Sequence, residues 1–396
     1  MKILKNHSPN KTDLLFKGLI LLFFTTFLLS SCGKGDEPGV NSSVYSPPPP
    51  PPVPVYQCGN KPIIKLNLVQ VGLLSIGRAT LKCGAAGSKI LFAGGWTPGA
   101  HSSRVDIYDT ITKTWSIAEL TEPFRDGMAV ASLGEKVFFA GGTNYDWVDL
   151  TSRVDIYNAA TNTWSTSELS VARHDLAAVT LGNKVFFAGG GIWNTMRQGS
   201  NVVDIYDNET NTWTTATLSE GRYELTATAI GNKIYFAGGI NNISSVSQKI
   251  DVFDSGTNTW STSQLNEPKT GHAAVAINNK IFWAGGAKTS YQNGYTISGT
   301  VEIKDATTGL SAFDCITSKA RFNVVSKNDD LVFFTSNFFT SEVQIDIFNI
   351  ANNTWSIGIL PFSINAAAII CVNNTIYVAG GNVGGTYSDK VWKLEF

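Results

Sequence analysis

Histidine is the side chain whose ordinary pKa best suits proton transfer near neutral pH, and this 396-residue chain has four. His7 stands in the N-terminal segment, while His101, His174 and His272 are far apart in sequence. No G-x-S-x-G elbow, H-E-x-x-H helix, phosphate loop or C-x-x-C pair accompanies them, so no catalytic residue, metal ligand or cofactor is assigned. Among the cysteines, Cys32 is set apart by its N-terminal context, and Cys58, Cys83, Cys315 and Cys371 allow three pairings. A Cys58–Cys83 bridge is preferred, since it would pin the incoming chain near the first repeat. Free buried thiols are the alternative.

The remaining candidates bind rather than react. A basic residue recurs at Arg78, Arg125, Arg173, Arg222, Lys269 and Arg321. Just beyond it the copies diverge, giving Asp126, His174, Asp175, Tyr223, Glu224, His272 and Asn323. An acid also recurs, at Asp106, Asp155, Asp204, Asp251, Glu302 and Asp346. The two regular series read as a structural ion pair, and the divergent residues as ligand contacts. A second set, Trp96, Tyr145, Trp147, Trp193, Tyr291 and Tyr295, lies among Asn, Ser, Thr and Gly in variable segments. Aromatics give contact area at low entropy cost and small polar residues hydrogen-bond, a mixture suited to protein or sugar surfaces. Packing onto neighbouring structure is the competing reading for any single aromatic.

A repeat must position these residues. KVFFAGG at 136–142 returns at 184–190, then as KIYFAGG, KIFWAGG and TIYVAGG. The first glycine of each pair falls at Gly94, Gly141, Gly189, Gly238, Gly285 and Gly380, and Ser336-Asn337 fill the slot of one further copy. Over 61–396 this makes seven units of roughly 48 residues, near the kelch period of about 50 and above that of WD40 repeats. Each unit holds a small apolar stretch, a turn such as LGNK, the double-glycine phrase, a variable segment, VDIYD and TNTW. That order predicts four strands set off by turn-forming residues. Abundant Thr, Asn and aromatics with 37 glycines agree with an all-β chain.

The double glycine, the tyrosine of VDIYD (Tyr108, Tyr157 and Tyr206, with Phe253 and Phe348 in its place) and the tryptophan of TNTW (Trp115, Trp164, Trp213, Trp260, Trp355) resemble the kelch repeat. The resemblance covers 61–396 and implies an all-β, seven-bladed β-propeller of four-stranded kelch-type blades. The glycines are expected to make room for aromatics of a neighbouring blade. The chain ends in VWKLEF, a third strand without a fourth, and the repeats are preceded by IIKLNLVQ, a fourth strand without the first three. The N-terminal strand should therefore complete the last blade and close the ring. VEIKDATTGLSAF loses tyrosine and tryptophan and the next unit loses both glycines, so that sector is expected to be looser or to carry a specialised surface. Uniform turns fall on one face of the disc and varied loops on the other, which places binding on the loop face around the channel mouth. The copper cage of galactose oxidase, another propeller of this kind, cannot be assembled from His101, His174 and His272. A kelch-type sugar mutarotase needs only an acid and a base at that mouth, and Glu224, His174 or His272 would serve.

Before the repeats, Lys2, Lys5, Lys11 and Lys17 precede the apolar run GLILLFFTTFLL at 18–29, short for a membrane span and suited to a signal-peptide core. Leu29-Ser30-Ser31-Cys32 resembles the bacterial lipobox, so 1–31 reads as a lipoprotein signal peptide and Cys32 as the lipidated residue. An ordinary signal peptide with a chance cysteine is the alternative. Several acyl chains give lasting anchorage. Residues 32–60, with PPPPPPVPV, read as a semi-rigid linker lifting the repeat domain off a membrane. Asp36-Glu37 resembles the tether of some surface-exported lipoproteins. Lys plus Arg number 30 against 31 Asp plus Glu, so no broad positive field invites nucleic acid. The expectation is a monomeric outer-membrane lipoprotein of the bacterial cell envelope, periplasmic or surface-exposed, touching the membrane through its lipid alone. It would be a non-enzymatic recognition module for a protein or glycan, with a mutarotase-like enzyme as the alternative.

Overall fold

Each repeat folds as one antiparallel sheet because its second strand is apolar throughout and its fourth is not. In Lys184–Ala188, every residue after the lysine is buried, whereas Thr212–Thr217 alternates between half-buried and exposed. The first kind of strand needs cover on both faces and the second tolerates a rim position. The computed structural model describes residues 59–122, 125–143, 149–193, 197–290, 294, 296–316, 322–335 and 344–396.

Blade three shows the pattern: Ala177–Leu181, Lys184–Ala188, Val202–Asp207 and Thr212–Thr217 lie side by side in that order. Seven such sheets are present, with first strands beginning at Lys82, Ala129, Ala177, Thr226, Ala273, Phe322 and Ala368. The turn between first and second strands is held by left-handed residues. In INNK both central residues, Asn278 and Asn279, have positive φ (47° and 60°), the two-residue hairpin geometry that matches strand twist. The first strand of each blade touches that of the next, and blade seven's touches blade one's, so the sheets form a closed ring.

The core divides the same way. Its seven clusters each join two adjacent blades. Each tryptophan of the TNTW series packs against the aromatic of its own third strand, with ring centres 5.2 Å apart for Tyr206–Trp213 and 4.8 Å for Phe348–Trp355. Trp213 and Tyr206 then fill the seam with blade two, beside Phe138 and Val154. An isolated blade would leave these faces wet, which is why neighbours are obligatory.

Closure is as the sequence implies, with one difference. Asn67–Leu73 pairs antiparallel with Lys390–Glu395 as the fourth strand of blade seven. IIKLNLVQ is not one strand, however. Ile63–Lys65 instead runs parallel to the fourth strand of blade six, pairing Ile63 with Ile357 and Lys65 with Ile359. Leu66 between them is fully buried, and the chain steps from one blade to the next around that side chain.

The glycine expectation needs correction. A Cβ on Gly189 would lie 2.5 Å from the carbonyl oxygen of Arg222 in blade four, and the N–H of Gly190 donates to that same oxygen at 2.9 Å. The pair is small because a neighbouring backbone docks there, while the aromatics occupy the outer part of the seam. The preferred disulfide is corrected as well. Cys83 carries a free thiol, its Sγ directed at the Ile369 carbonyl 3.4 Å away in blade seven, and among the described residues it is Cys315 that is disulfide-bonded. Burial pushes the Cys83 thiol up to about 12, and Cys58 lies outside the described residues.

Candidate binding face

The recurring basic residues are fasteners. Arg78, Arg125, Arg173 and Arg222 are at most 1 % exposed, and each reaches the acid on its own blade's third strand, Asp106, Asp155, Asp204 and Asp251 respectively. The acid's second oxygen accepts a backbone N–H just past the preceding blade's fourth strand, from Ser75, Thr121, Ser170 and Ser219. One buried ion pair thereby joins two blades. Blade five departs from the expected pairing: Lys269 donates to Glu267 at 2.8 Å, and Glu302 accepts from Asn266 N–H and the Ser311 hydroxyl. A lysine has one compact nitrogen and no fork to span both sites. In blade six, Asp346 takes Lys61, while Arg321 lies outside the described residues.

The divergent residues after the basic position form two rows. In the first, Ala79, Asp126, His174, Thr270 and Asn365 make a backbone bridge to the residue following their own blade's double glycine, as Tyr223 does to Ile240. In the second, Thr80, Gly127, Asp175, Glu224, Gly271 and Ala366 all have left-handed backbones, with φ from 49° to 63°. Neighbouring blades are tied through this row: Asp175 N–H donates to Gly127 O at 2.8 Å, Glu224 N–H to Asp175 O at 3.0 Å, and Thr80 N–H to Ala366 O at 2.8 Å. Since the row immediately precedes the innermost strands, it forms a hydrogen-bonded collar at one mouth of the channel. Positive φ at Thr, Asp, Glu and Ala is costly and persists only where the surroundings enforce it.

Residues 127–308 match the KLHDC2/KLHL20/DRC7 Kelch-repeats domain, and residues 77–119 match the Kelch motif. The chain is a kelch-repeat β-propeller. Its fold is also that of the solved structure titled "Structure of YjhT", at 15% sequence identity and a TM-score of 0.50, over 81% of this chain and 94% of that one. A search of curated proteins finds no match.

Within this kelch propeller the expected site residues separate by role. Trp96 Nε1 donates to Asp126 Oδ2 at 2.7 Å, and the Trp96 ring packs on His101 with centroids 4.4 Å apart. His174 Nδ1 lies 2.9 Å from Asp175 Oδ2. Glu224 accepts from the Thr270 hydroxyl at 3.0 Å. His174, Tyr223 and His272 are buried, while Asp126, Asp175 and Glu224 are half-exposed. Asn323 sits exposed in the first strand of blade six. Trp193 is placed as a strand residue paired with Arg197, and Tyr145, Trp147, Tyr291 and Tyr295 lie outside the described residues. Sequence reading missed Thr270 and Thr226 and gave His101 no place at the site. Thr270 was recoverable, since it occupies in blade five the row position of His174.

His272 shows what burial does to the chemistry here. Its Nε2 meets the Thr226 hydroxyl at 2.8 Å, and burial first, then the charges of Lys269 and Arg222, push its pKa down to about 3. The imidazole is neutral in the fold and protonates near its ordinary 6.5 only when the chain unfolds. Unfolding therefore takes up a proton between these limits. This site makes stability full above about 6.5 and lowers it by about 1.4 kcal/mol per pH unit as pH falls toward 3. Urea unfolding of the wild type and His272→Asn at pH 7 and pH 5 should show the variant losing about 2 kcal/mol less on acidification. Parallel losses would mean that the imidazole is already charged in the fold.

Proposed function

We propose that this kelch propeller is a recognition module, exported and lipid-anchored at Cys32 in the bacterial outer membrane, that binds a protein or glycan through its variable loop face as a monomer. The burial of the three domain histidines carries this reading: His101, His174 and His272 are 2 %, 1 % and 3 % exposed. Burial also lowers the pKa of His101, as it does that of His272. Groups spent inside the blades are poorly placed to exchange protons with a substrate, whereas Asp175 and Glu224 are half-exposed on a collar held by backbone hydrogen bonds, with the half-exposed Asp126 in the bridging row beside it. A rigid frame presenting variable polar and aromatic groups suits recognition.

Asp175 and Glu224, joined through their backbones in the collar of blades three and four, support a second reading, an acid and a base acting on a sugar at the mouth. One comparison separates the two. The full chain in detergent and its Asp175→Asn/Glu224→Gln variant are presented to envelope extracts and to a glycan array, and both are assayed for anomer exchange. Capture that weakens about tenfold or more in the variant supports recognition, and the bound species distinguishes protein from glycan. Anomer exchange by the wild type that the variant loses, without any capture, overturns it.

A further inference from the structure

We infer that residues 61–66 are a fastening that bears the pull of the tether, separate from the strand that closes the ring. This rests on the anchored reading above only for the source of the pull.

Closure alone requires Asn67–Leu73 in blade seven. The chain nevertheless makes a second attachment first, on a different blade, and with several kinds of contact at once. The Lys61 side chain is 6 % exposed; its Nζ donates to Asp346 Oδ1 and to the Cys315 carbonyl, each at 2.8 Å, and lies 4.4 Å from the centre of the Trp355 ring. One ammonium therefore touches the end of blade five's outer strand and two strands of blade six. The Pro62 carbonyl accepts Ile357 N–H at 2.8 Å, and Ile63–Lys65 continues as a parallel fifth strand.

The next contact is a knob in a hole. Leu66 is fully buried between blades six and seven, and its N–H donates to Ile359 O at 3.0 Å. A Cβ on Gly358 would lie 2.5 Å from Leu66 Cδ1, so the glycine in TWSIGI is the recess that admits this leucine. The corresponding positions in blades two, three and four, Ser167, Ala216 and Ser263, all carry a side chain. The fastening thus falls on the sector where the repeat signature is weakest and provides cover that the blade's own sequence does not supply.

The sequence of contacts determines the load. A pull arriving along the chain from the N-terminal side meets Lys61 and the fifth strand before it meets any hydrogen bond of the closing strand. The closing strand, whose loss would open the ring, bears tension only after the fastening has parted.

The test is single-molecule stretching of the full chain between its N-terminus and Phe396, under reductant, for the wild type, Lys61→Ala, Gly358→Ala and Leu218→Ala. The wild type should show a distinct first rupture releasing the fastening. Lys61→Ala and Gly358→Ala should lose that event, while Leu218→Ala, which loosens the seam of blades three and four, should keep it. Unchanged first ruptures in both fastening variants, or equal loss in Leu218→Ala, would overturn the inference. None of these readouts depends on a ligand, so failure here is distinct from failure of the recognition reading.

Discussion

Replacing Arg173 with alanine should cost about 3–5 kcal/mol of unfolding free energy in urea, because it leaves a buried carboxylate without its cation. Arg173 is fully buried and its Nη2 meets Asp204 Oδ2 at 2.5 Å and the Phe187 carbonyl at 3.1 Å. Asp204 is 2 % exposed and its other oxygen already accepts Ser170 N–H at 3.0 Å. Water entering the vacated space is a neutral partner and leaves the carboxylate without its counter-charge. The pair itself need not be strongly favourable, since its mutual attraction must first offset desolvation of both charges. A double replacement, Arg173→Met with Asp204→Asn, removes both charges and keeps an acceptor for Ser170, so it should be less damaging than the single change. If the double variant is as unstable as Arg173→Ala, lost packing and not an orphaned charge is the cause. Arg104→Ala provides scale: Arg104 and Glu119 are 38 % and 49 % exposed, and breaking that pair should cost less than about 1 kcal/mol.

The second large effect is expected at the double glycine. Gly189→Ala should destabilise by about 3 kcal/mol or more in the same measurement. The left-handed conformation (φ 67°) accounts for about 1–2 of that. Displacing Arg222 O, 2.5 Å from the new Cβ, strains or breaks its bond from Gly190 N–H and adds about 1–3. Leu225 Cδ2, at 2.7 Å, obstructs the same space. Gly182 is the matched control. It has a similar φ of 56° with nothing within 4 Å of its Cβ position, so Gly182→Ala isolates the conformational part. Equal losses at the two glycines would show that the close approach of blade four's backbone contributes nothing.

These two experiments address features of different legibility. That an arginine and an aspartate recur in step was readable, and so was their pairing, because four blades repeat the same two letters 28 to 31 residues apart. That blade five breaks the rule was not: Lys269 aligns with the arginines, yet a single ammonium satisfied by Glu267, Ser298 and Thr300 leaves Glu302 to neutral donors. Burial then pushes the Glu302 carboxyl up, opposite to what an ion pair would do. The double glycine announced a close approach, but a glycine records only that space is needed. Which neighbour fills it depends on the blade beside it.

The candidate site divides in the same way. Asp126, Asp175 and Glu224 were identifiable because they vary where the frame is constant. The separation into a bridging row, buried except at Asp126, and a left-handed collar was hidden, since His174 and Asp175 are adjacent letters of which only the second reaches solvent. Backbone bridges turn successive side chains to opposite sides, and no letter states which side meets solvent.

By itself the sequence determined that the chain is all-β, that it holds seven units of one kind, and that a strand ahead of the first unit completes the last blade, because strand periodicity, turn residues and repeat length are local properties written once per unit. Only the tertiary structure decided what lies between units: the carbonyl at the double glycine, the free thiol of Cys83, the departure at Lys269, and the split of IIKLNLVQ around Leu66. Each is a contact between residues distant in sequence, and it is fixed by how two neighbouring sheets fit once the ring has closed.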